Sequence, residues 1–415
     1  AGMMGDAPLK IGIAGLGTVG MGTVSMLTDN AELIARRCGR KVEIVAVSSR
    51  DKGRDRGVDL SAYRWYDNAL DMAGDADVDV VVELIGGSEG IAKTLCEEAF
   101  KAGKHVVTAN KALIAHHGVA LAQQAETSGV ALAFEAAVAG GIPVLHALRM
   151  GLAGNRFSRV EGILNGTCNY ILTTMREDGR DFDDVLAEAQ ALGYAEADPA
   201  FDVDGVDAAH KLAILTSLAY GCPVNFDAVH VEGIRQITAS DMHYAKELGY
   251  VIKLLGIAAV TENGIEQRVH PCFVPKEAPI AKVDGVYNAV VVHGDAVGTV
   301  VLEGRGAGAG PTASSVVSDL MDVAQGGGKM PFNIPTSQLK GQPLAKMENL
   351  ERCHYYLRFT VRDKPGVLAE VTSIFRDHTI SMGSFVQHSR QPNEEVEIAL
   401  TTHEAKEADM DAALQ

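Results

Sequence analysis

A glycine string, Gly15-x-Gly17-x-x-Gly20, constrains this chain more than any other feature, because it joins two segments of different periodicity. Residues 9–14 before it form a continuous apolar run, and residues 21–27 after it carry helical spacing. Strand, glycine turn and helix, in that order, are what dinucleotide binding requires. The glycines permit a tight turn and the close approach of a pyrophosphate, and the free N–H groups of the helix N-terminus meet its charge. Gly15, Gly17, Thr18, Val19 and Gly20 are therefore cofactor-binding candidates. Such a string alone also occurs as a plain packing turn, so the context has to decide.

The context is a series of strand–helix units. An apolar run at 42–47 ends in Ser48-Ser49-Arg50, one at 78–85 ends in Gly86-Gly87, and one at 105–108 ends in Ala109-Asn110-Lys111. Runs that are continuous rather than alternating indicate a parallel sheet covered on both faces, which predicts a Rossmann-type dinucleotide-binding domain over 9–145. An acidic residue at the end of the second strand would grip the ribose 2′-hydroxyl of NAD. Arg50 stands there instead, with Lys52 and Arg54 close behind, a group suited to the 2′-phosphate of NADP. The other reading of these cations is a solvated loop, with NAD as cofactor.

Beyond Gly140 strands mix with long helical patterns, read as an α+β substrate domain over 146–310 with strands at 159–164, 267–274, 289–293 and 298–302 and helices at 182–192, 206–220 and 240–253. After the glycine run 304–310, Pro311 opens a helix expected over 311–325 and expected to return to the first domain. Residues 326–350, rich in Gly and Pro, read as a linker. Residues 351–415 follow a βαββα order, a ferredoxin-like pattern without its last strand, as a truncated unit would show.

Composition narrows the function. With 37 Lys+Arg against 54 Asp+Glu the net charge is −17, which argues against nucleic acid or an anionic membrane as partner and leaves a small-molecule substrate. The six cysteines lie dozens of residues apart without metal-ligand spacing, and residues 1–8 read as a flexible tail without a signal-peptide pattern, so a reducing cytoplasm is expected. The richest apolar stretch, 130–145, is broken by Glu135, Gly140, Gly141 and Pro143 and cannot span a bilayer.

The densest chemical signal runs from Gly193 to Lys211, where Glu196, Asp198, Asp202, Asp204 and Asp207 precede one lysine and Asp207 and Lys211 stand four apart on a predicted helix. Spacing alone allows a helix start decorated with acids and a surface salt bridge. It equally allows a pocket in which one carboxylate binds an ammonium group, another orients the lysine, and the lysine moves a proton. Cys168 has no base partner nearby and reads as a small buried residue; His116, His117 and His210 lack ligand spacing and read as packing or surface groups.

Taken together, the strings at 15–20, Thr-Ala-Asn-Lys at 108–111, Glu135 with Ala-Gly-Gly-Ile-Pro at 139–143, Asn-Gly-Thr-Cys-Asn-Tyr at 165–170 and the 196–211 segment resemble homoserine dehydrogenase with a C-terminal ACT domain, over 9–415. The resemblance implies reversible, NAD(P)-dependent interconversion of L-homoserine and L-aspartate 4-semialdehyde. It implies Lys211 as acid and base, Asp207 as its substrate-side partner, Lys111 beside the nicotinamide, Glu196 and Gly193 at the substrate, and Gly310 at the cofactor. It also implies a monovalent cation such as Na+ held by Glu135 and the carbonyls of Val138, Gly140 and Ile142, a homodimer or homotetramer, and threonine feedback at the ACT domain. A related amino-acid semialdehyde reductase and a non-catalytic amino-acid sensor are the competing readings. The chemistry agrees with a lysine: hydride delivery to an aldehyde leaves an alkoxide for an ammonium to quench. In the reverse direction a neutral lysine must accept the hydroxyl proton, so its pKa is expected to be pulled toward neutrality, a push that a second cation at Lys111 supplies.

Overall fold

A computed structural model describes residues 7–346, 352–388 and 394–415. Six strands form the N-terminal sheet: β1 (Leu9–Ala14), β2 (Val42–Ser48), β3 (Arg64–Tyr66), β4 (Val80–Glu83), β5 (His105–Thr108) and β6 (Leu132–Ala133), in the order β3-β2-β1-β4-β5-β6. Every neighbouring pair is parallel. The strand order reverses between β1 and β4, and in such a sheet the crevice beyond the carboxyl ends at that point is where ligands bind. The short edge strand β3 was not among the sequence-predicted elements, whereas β6 falls in the apolar stretch 130–145, read as a buried strand and turn.

Helix Ala309–Ala324 belongs to this body: Val316, Val317, Leu320 and Val323 share one apolar cluster with Ile11, Ile13, Val24 and Leu27. The Rossmann unit is thus assembled from two stretches of chain separated by the whole second domain.

The second sheet is mixed. It contains β7 (Phe157–Ile163), β8 (His230–Val231), β9 (Tyr250–Thr261), β10 (Gly264–Pro275), β11 (Tyr287–Gly294) and β12 (Gly298–Arg305), ordered β12-β11-β7-β9-β10-β8. Only β8 with β10 pairs in parallel among the described residues. Helices Gly166–Asp178 and Val206–Tyr220 cover one face, burying Ile171, Leu172, Leu212 and Leu215 with Val160, Ile252, Leu254 and Ala258.

One predicted helix is corrected. The helix expected over 240–253 ends at Glu247; Gly249 turns the chain at φ +86° and Tyr250 starts a twelve-residue strand. That strand buries both faces, Ile252 and Leu254 toward the helices and Leu255 and Ile257 toward the opposite cluster with Val274 and Ile280. Its apolar residues are therefore continuous, and a continuous run does not distinguish a buried strand from a helix.

The predicted linker, 326–350, is also corrected over its described part, to 346. Phe332 is fully buried against Phe134, with ring centroids 5.4 Å apart, and the amide and hydroxyl of Thr336 donate to Glu126 at 2.9 and 2.6 Å. Residues 347–350 lie outside the described residues. In the C-terminal unit β13 (Arg352–Cys353) pairs with β17 (Ala405–Lys406), and β14 (Tyr356–Arg362), β15 (Met382–Gln387) and β16 (Glu395–Thr402) form an antiparallel sheet ordered β14-β16-β15, with helices Val367–Asp377 and Glu407–Leu414.

Candidate active site

The glycines after β1 divide their work. Gly15 lies at φ +104°, and a Cβ there would stand 2.6 Å from the Leu84 carbonyl oxygen, so the turn itself needs glycine. A Cβ on Gly20 would come 2.0 Å from the Gly15 oxygen, so that glycine lets the helix Thr18–Asp29 pack on the strand. A Cβ on Gly17 would meet nothing within 4 Å: the space above it is open, at the amino end of the helix that presents the unpaired amides of Thr18, Val19 and Gly20. The residues fit a dinucleotide pyrophosphate.

Beside this turn the Gly15 amide donates to the Ser48 carbonyl at 2.9 Å, which fixes the end of β2 next to it. Arg50 is exposed just beyond, while Arg56 is held over the Trp65 ring at 5.6 Å and donates to Ser49 Oγ at 3.1 Å. Gly310 lies in the first turn of helix Ala309–Ala324, with open space where a side chain would be.

At the end of β4 the structure shows a residue that sequence reasoning missed. The carboxylate of Glu83 is fully buried and accepts from the amides of Ile85 and Gly86 at 2.7 and 3.1 Å, Thr108 Oγ1 at 2.9 Å and Asn110 Nδ2 at 3.0 Å. Those four bonds tie the loop after β4 to the loop after β5. Asn110 Oδ1 then accepts from Leu113 N at 3.0 Å and caps helix Lys111–Ser128, setting Lys111 at its first position. An acidic residue ending a strand just before Gly-Gly was the available signal.

Lys111 reaches the second domain. Its ammonium lies 2.8 Å from Asp207 Oδ1, and the ammonium of Lys211 lies 2.8 Å from Asp207 Oδ2. Gly205, at φ +85°, starts helix Val206–Tyr220, so Asp207 falls in the first turn, where the helix dipole favours an anion, and Lys211 one turn on. Lys211 also donates to the Leu164 carbonyl at 2.8 Å. Asn165, which opens the 165–170 string but was given no role of its own, caps helix Gly166–Asp178 through Cys168 N at 2.8 Å and turns its amide to Asp202 Oδ1 at 2.8 Å and Asp207 Oδ2 at 2.9 Å.

The electrostatics follow from burial. Desolvation opposes the Asp207 charge, but Lys211 and Lys111 outweigh it and hold the carboxyl well below the usual range. Burial lowers the Lys211 pKa and the Lys111 charge adds to that, while Asp207 opposes. Burial raises Asp202. The Cys168 thiol, buried and donating to the Asp202 carbonyl at 3.2 Å, is pushed well above its ordinary value and stays protonated, which removes it as a nucleophile. His210 packs against Phe226 and meets His116 at 3.1 Å between ring nitrogens; burial lowers it to about 4.

Two predicted groups stand apart from this cluster. Gly193 and Glu196 lie exposed in the turn after helix Phe182–Ala191, and the Glu196 carboxylate makes no hydrogen bond or ion pair among the described residues. Its reach to a substrate amine is not a contact that the folded chain itself makes.

The cation candidates sit elsewhere, between β6 and the second domain. Buried Glu135 accepts from the amides of Leu145 and His146 at 3.1 and 2.9 Å, and His146 Nδ1 lies 3.8 Å from its Oε1. Val138, Gly140 and Ile142 are buried in the loop that follows; the Gly140 carbonyl takes Ser315 Oγ at 2.5 Å and the Ile142 carbonyl takes Val144 N at 2.8 Å. Glu135 N donates to Asp319, which burial and the Glu135 charge push up to about 7.

A Rossmann crevice joined to a buried lysine–carboxylate–lysine bridge defines a nicotinamide-dependent oxidoreductase. Profiles of known families match along the chain: "Homoserine dehydrogenase, NAD binding domain" over 15–135, "Homoserine dehydrogenase" over 143–321 and "ACT domain" over 355–415. The homoserine dehydrogenase of Pseudomonas aeruginosa is 50% identical over 98% of this chain and 94% of that protein, and that of Neisseria gonorrhoeae 45% over the same shares. The crystal structure of a homoserine dehydrogenase from Thiobacillus denitrificans superposes with TM-score 0.92 at 48% identity, over 98% of this chain and 94% of that one. A hyperthermophilic archaeal homoserine dehydrogenase in complex with NADPH superposes with TM-score 0.65 at 26% identity, over 76% and 97%. The chain belongs to the homoserine dehydrogenase family, oxidoreductases acting on a CH–OH group, and carries an NAD-binding domain and a C-terminal ACT domain.

Proposed function

We propose that this chain interconverts L-homoserine and L-aspartate 4-semialdehyde, with Lys211 moving the proton at the substrate oxygen. The observation that carries the reading is the Asp207 bridge, which holds Lys211 and Lys111 together at the carboxyl edge of the Rossmann sheet. In the oxidative direction the substrate hydroxyl gives its proton to neutral Lys211, and burial beside Lys111 supports that neutral form. In the reductive direction the Lys211 ammonium returns it to the nascent alkoxide. Asp207 stays ionised throughout and fixes both ammonium groups, with Asn165 steadying it. The nicotinamide, when bound, supplies or accepts the hydride. Glu196 and Gly193 close on the substrate amine from the exposed turn.

NADP is the preferred cofactor: Arg50 is exposed beside the glycine turn and, among the described residues, unengaged, so it is available to a 2′-phosphate. A monovalent cation such as Na+ fits the loop of Val138, Gly140 and Ile142, where buried Glu135 has no ammonium or guanidinium bonded to it among the described residues. The chain works as a homodimer or homotetramer, with threonine acting at the ACT domain. Six unpaired thiols support a reducing cytoplasm, and no helix among the described residues is long and apolar enough to cross a membrane.

Homoserine oxidation with NADP is the decisive assay. Lys211→Ala should lower turnover by about 10²–10⁴-fold with NADPH affinity nearly unchanged; wild-type rates would falsify the assignment. Arg50→Ala should weaken NADPH more than NADH in fluorescence titrations, and equal losses place the 2′-phosphate contact elsewhere.

A further inference from the structure

Among the described residues one group of side chains outside the catalytic cluster has the composition of a metal site: His243, Glu247 and His388. His243 and Glu247 stand one turn apart on helix Ala239–Glu247 of the substrate domain, and His388 follows β15 of the ACT unit. Glu247 Oε2 lies 2.9 Å from His388 Nε2 and 3.6 Å from His243 Nε2, and one ligand atom from each of the three lies within 4.8 Å of the others. Around a tetrahedral Zn2+ with bonds near 2.0–2.1 Å, ligand atoms stand about 3.3 Å apart, a value the two measured spacings bracket.

We propose that these residues bind a divalent transition cation of the Zn2+ class, with water in the fourth position, and so fasten the ACT unit to the substrate domain. Two imidazoles and one carboxylate suit that class; Mg2+ and Ca2+ take oxygen ligands. The His388 ring is already oriented. It stacks on Tyr244, with centroids 6.1 Å apart and planes 20° apart, and the Tyr244 hydroxyl donates to Glu397 of β16 at 3.1 Å. His243 and Glu247 side chains are 62% and 33% exposed and His388 52%, so an ion enters without unfolding either domain. The same helix carries Asp241, which accepts from Tyr356 and Arg358 of β14 at 2.8 and 2.9 Å, so the cation would close a seam that hydrogen bonds have already aligned.

The test uses the full chain stripped with EDTA, titrated with Zn2+ by calorimetry and with Co2+ by visible absorption. One equivalent should bind with a tetrahedral Co2+ spectrum and raise Tm, and His243→Gln and His388→Gln should each weaken binding by more than about tenfold. His378→Gln, at a half-buried histidine whose Nδ1 meets the Ile374 carbonyl at 2.8 Å, serves as control and should bind as the parent does. Circular dichroism without metal checks that each variant folds. Absence of binding, or the same isotherm in the parent and both ligand variants, overturns the proposal.

Discussion

Two charged seams join the domains of this chain, and they differ in what surrounds the charges. At the catalytic seam the Asp207 side chain is 4% exposed and lies between two ammonium groups, one from each domain. At the ACT seam the Asp241 side chain is 8% exposed and binds Tyr356 and Arg358; Arg358 is 26% exposed, more than Lys211 at 11% though less than Lys111 at 35%, and Glu397 shares it. Coulomb attraction is strong where water is excluded and weak where it is not, and the same exclusion makes an unpaired buried charge expensive. The Asp207 seam is therefore a place where charge is held against its own desolvation, and there burial together with the Lys111 charge lowers the Lys211 pKa. The ACT seam is a place where two surfaces are merely aligned.

Breaking Asp207 should have the largest effect on that contrast. Asp207→Asn leaves Lys211 buried without its anion and should cost on the order of 3 kcal/mol in urea melts, together with most of the turnover. A stability loss under about 0.5 kcal/mol would mean that water or rotation rescues the lysines, and the two seams would be alike.

Asp319 sharpens the comparison with a buried acid that makes no ion pair among the described residues and whose burial the nearby Arg149 charge offsets only in part. Its pKa in the fold is about 7, above the ordinary 3.8, so the folded chain keeps a proton that the unfolded chain loses. Stability from this group is thus full below about pH 4 and falls as pH rises toward 7. Asp319→Asn should remove that slope and stabilise the chain by on the order of 1–3 kcal/mol at pH 8, with little change at pH 4 in thermal melts. A parallel shift at both pH values would assign the effect to packing instead.

The smallest effect is expected at the ACT seam. Arg358→Ala should cost under about 1 kcal/mol, because Tyr356 still donates to Asp241 and the pair is partly solvated. A loss equal to that of Asp207→Asn would erase the distinction between the seams.

Sequence reading reached far into the first domain and the helix that carries Asp207 and Lys211 for a common reason. The glycine turn, the apolar runs of β1, β2, β4 and β5, and helix Val206–Tyr220 are specified by residues within a few positions of one another. It failed at β9, whose two covered faces blur the periodicity, and at 326–346, where Phe332 and Thr336 anchor a Gly- and Pro-rich stretch to helix Lys111–Ser128 and to Phe134. It also assigned no role to Glu83, or to Asn165 within the 165–170 string, because a carboxylate that bonds two loops and an amide that bonds two aspartates look ordinary until those loops meet.

By itself, then, the order of residues determined the dinucleotide turn, the βαβ layering, and the placing of Asp207 and Lys211 on one helix face. Only the folded chain decided that Lys111, from the other domain, would share that carboxylate, that Glu196 would stand free in solvent, and that His388 would meet His243 and Glu247. The division has a physical cause: backbone periodicity and turn chemistry act over a few residues, whereas the partner of a charge is chosen by whichever distant segment packing brings within about 3 Å of it.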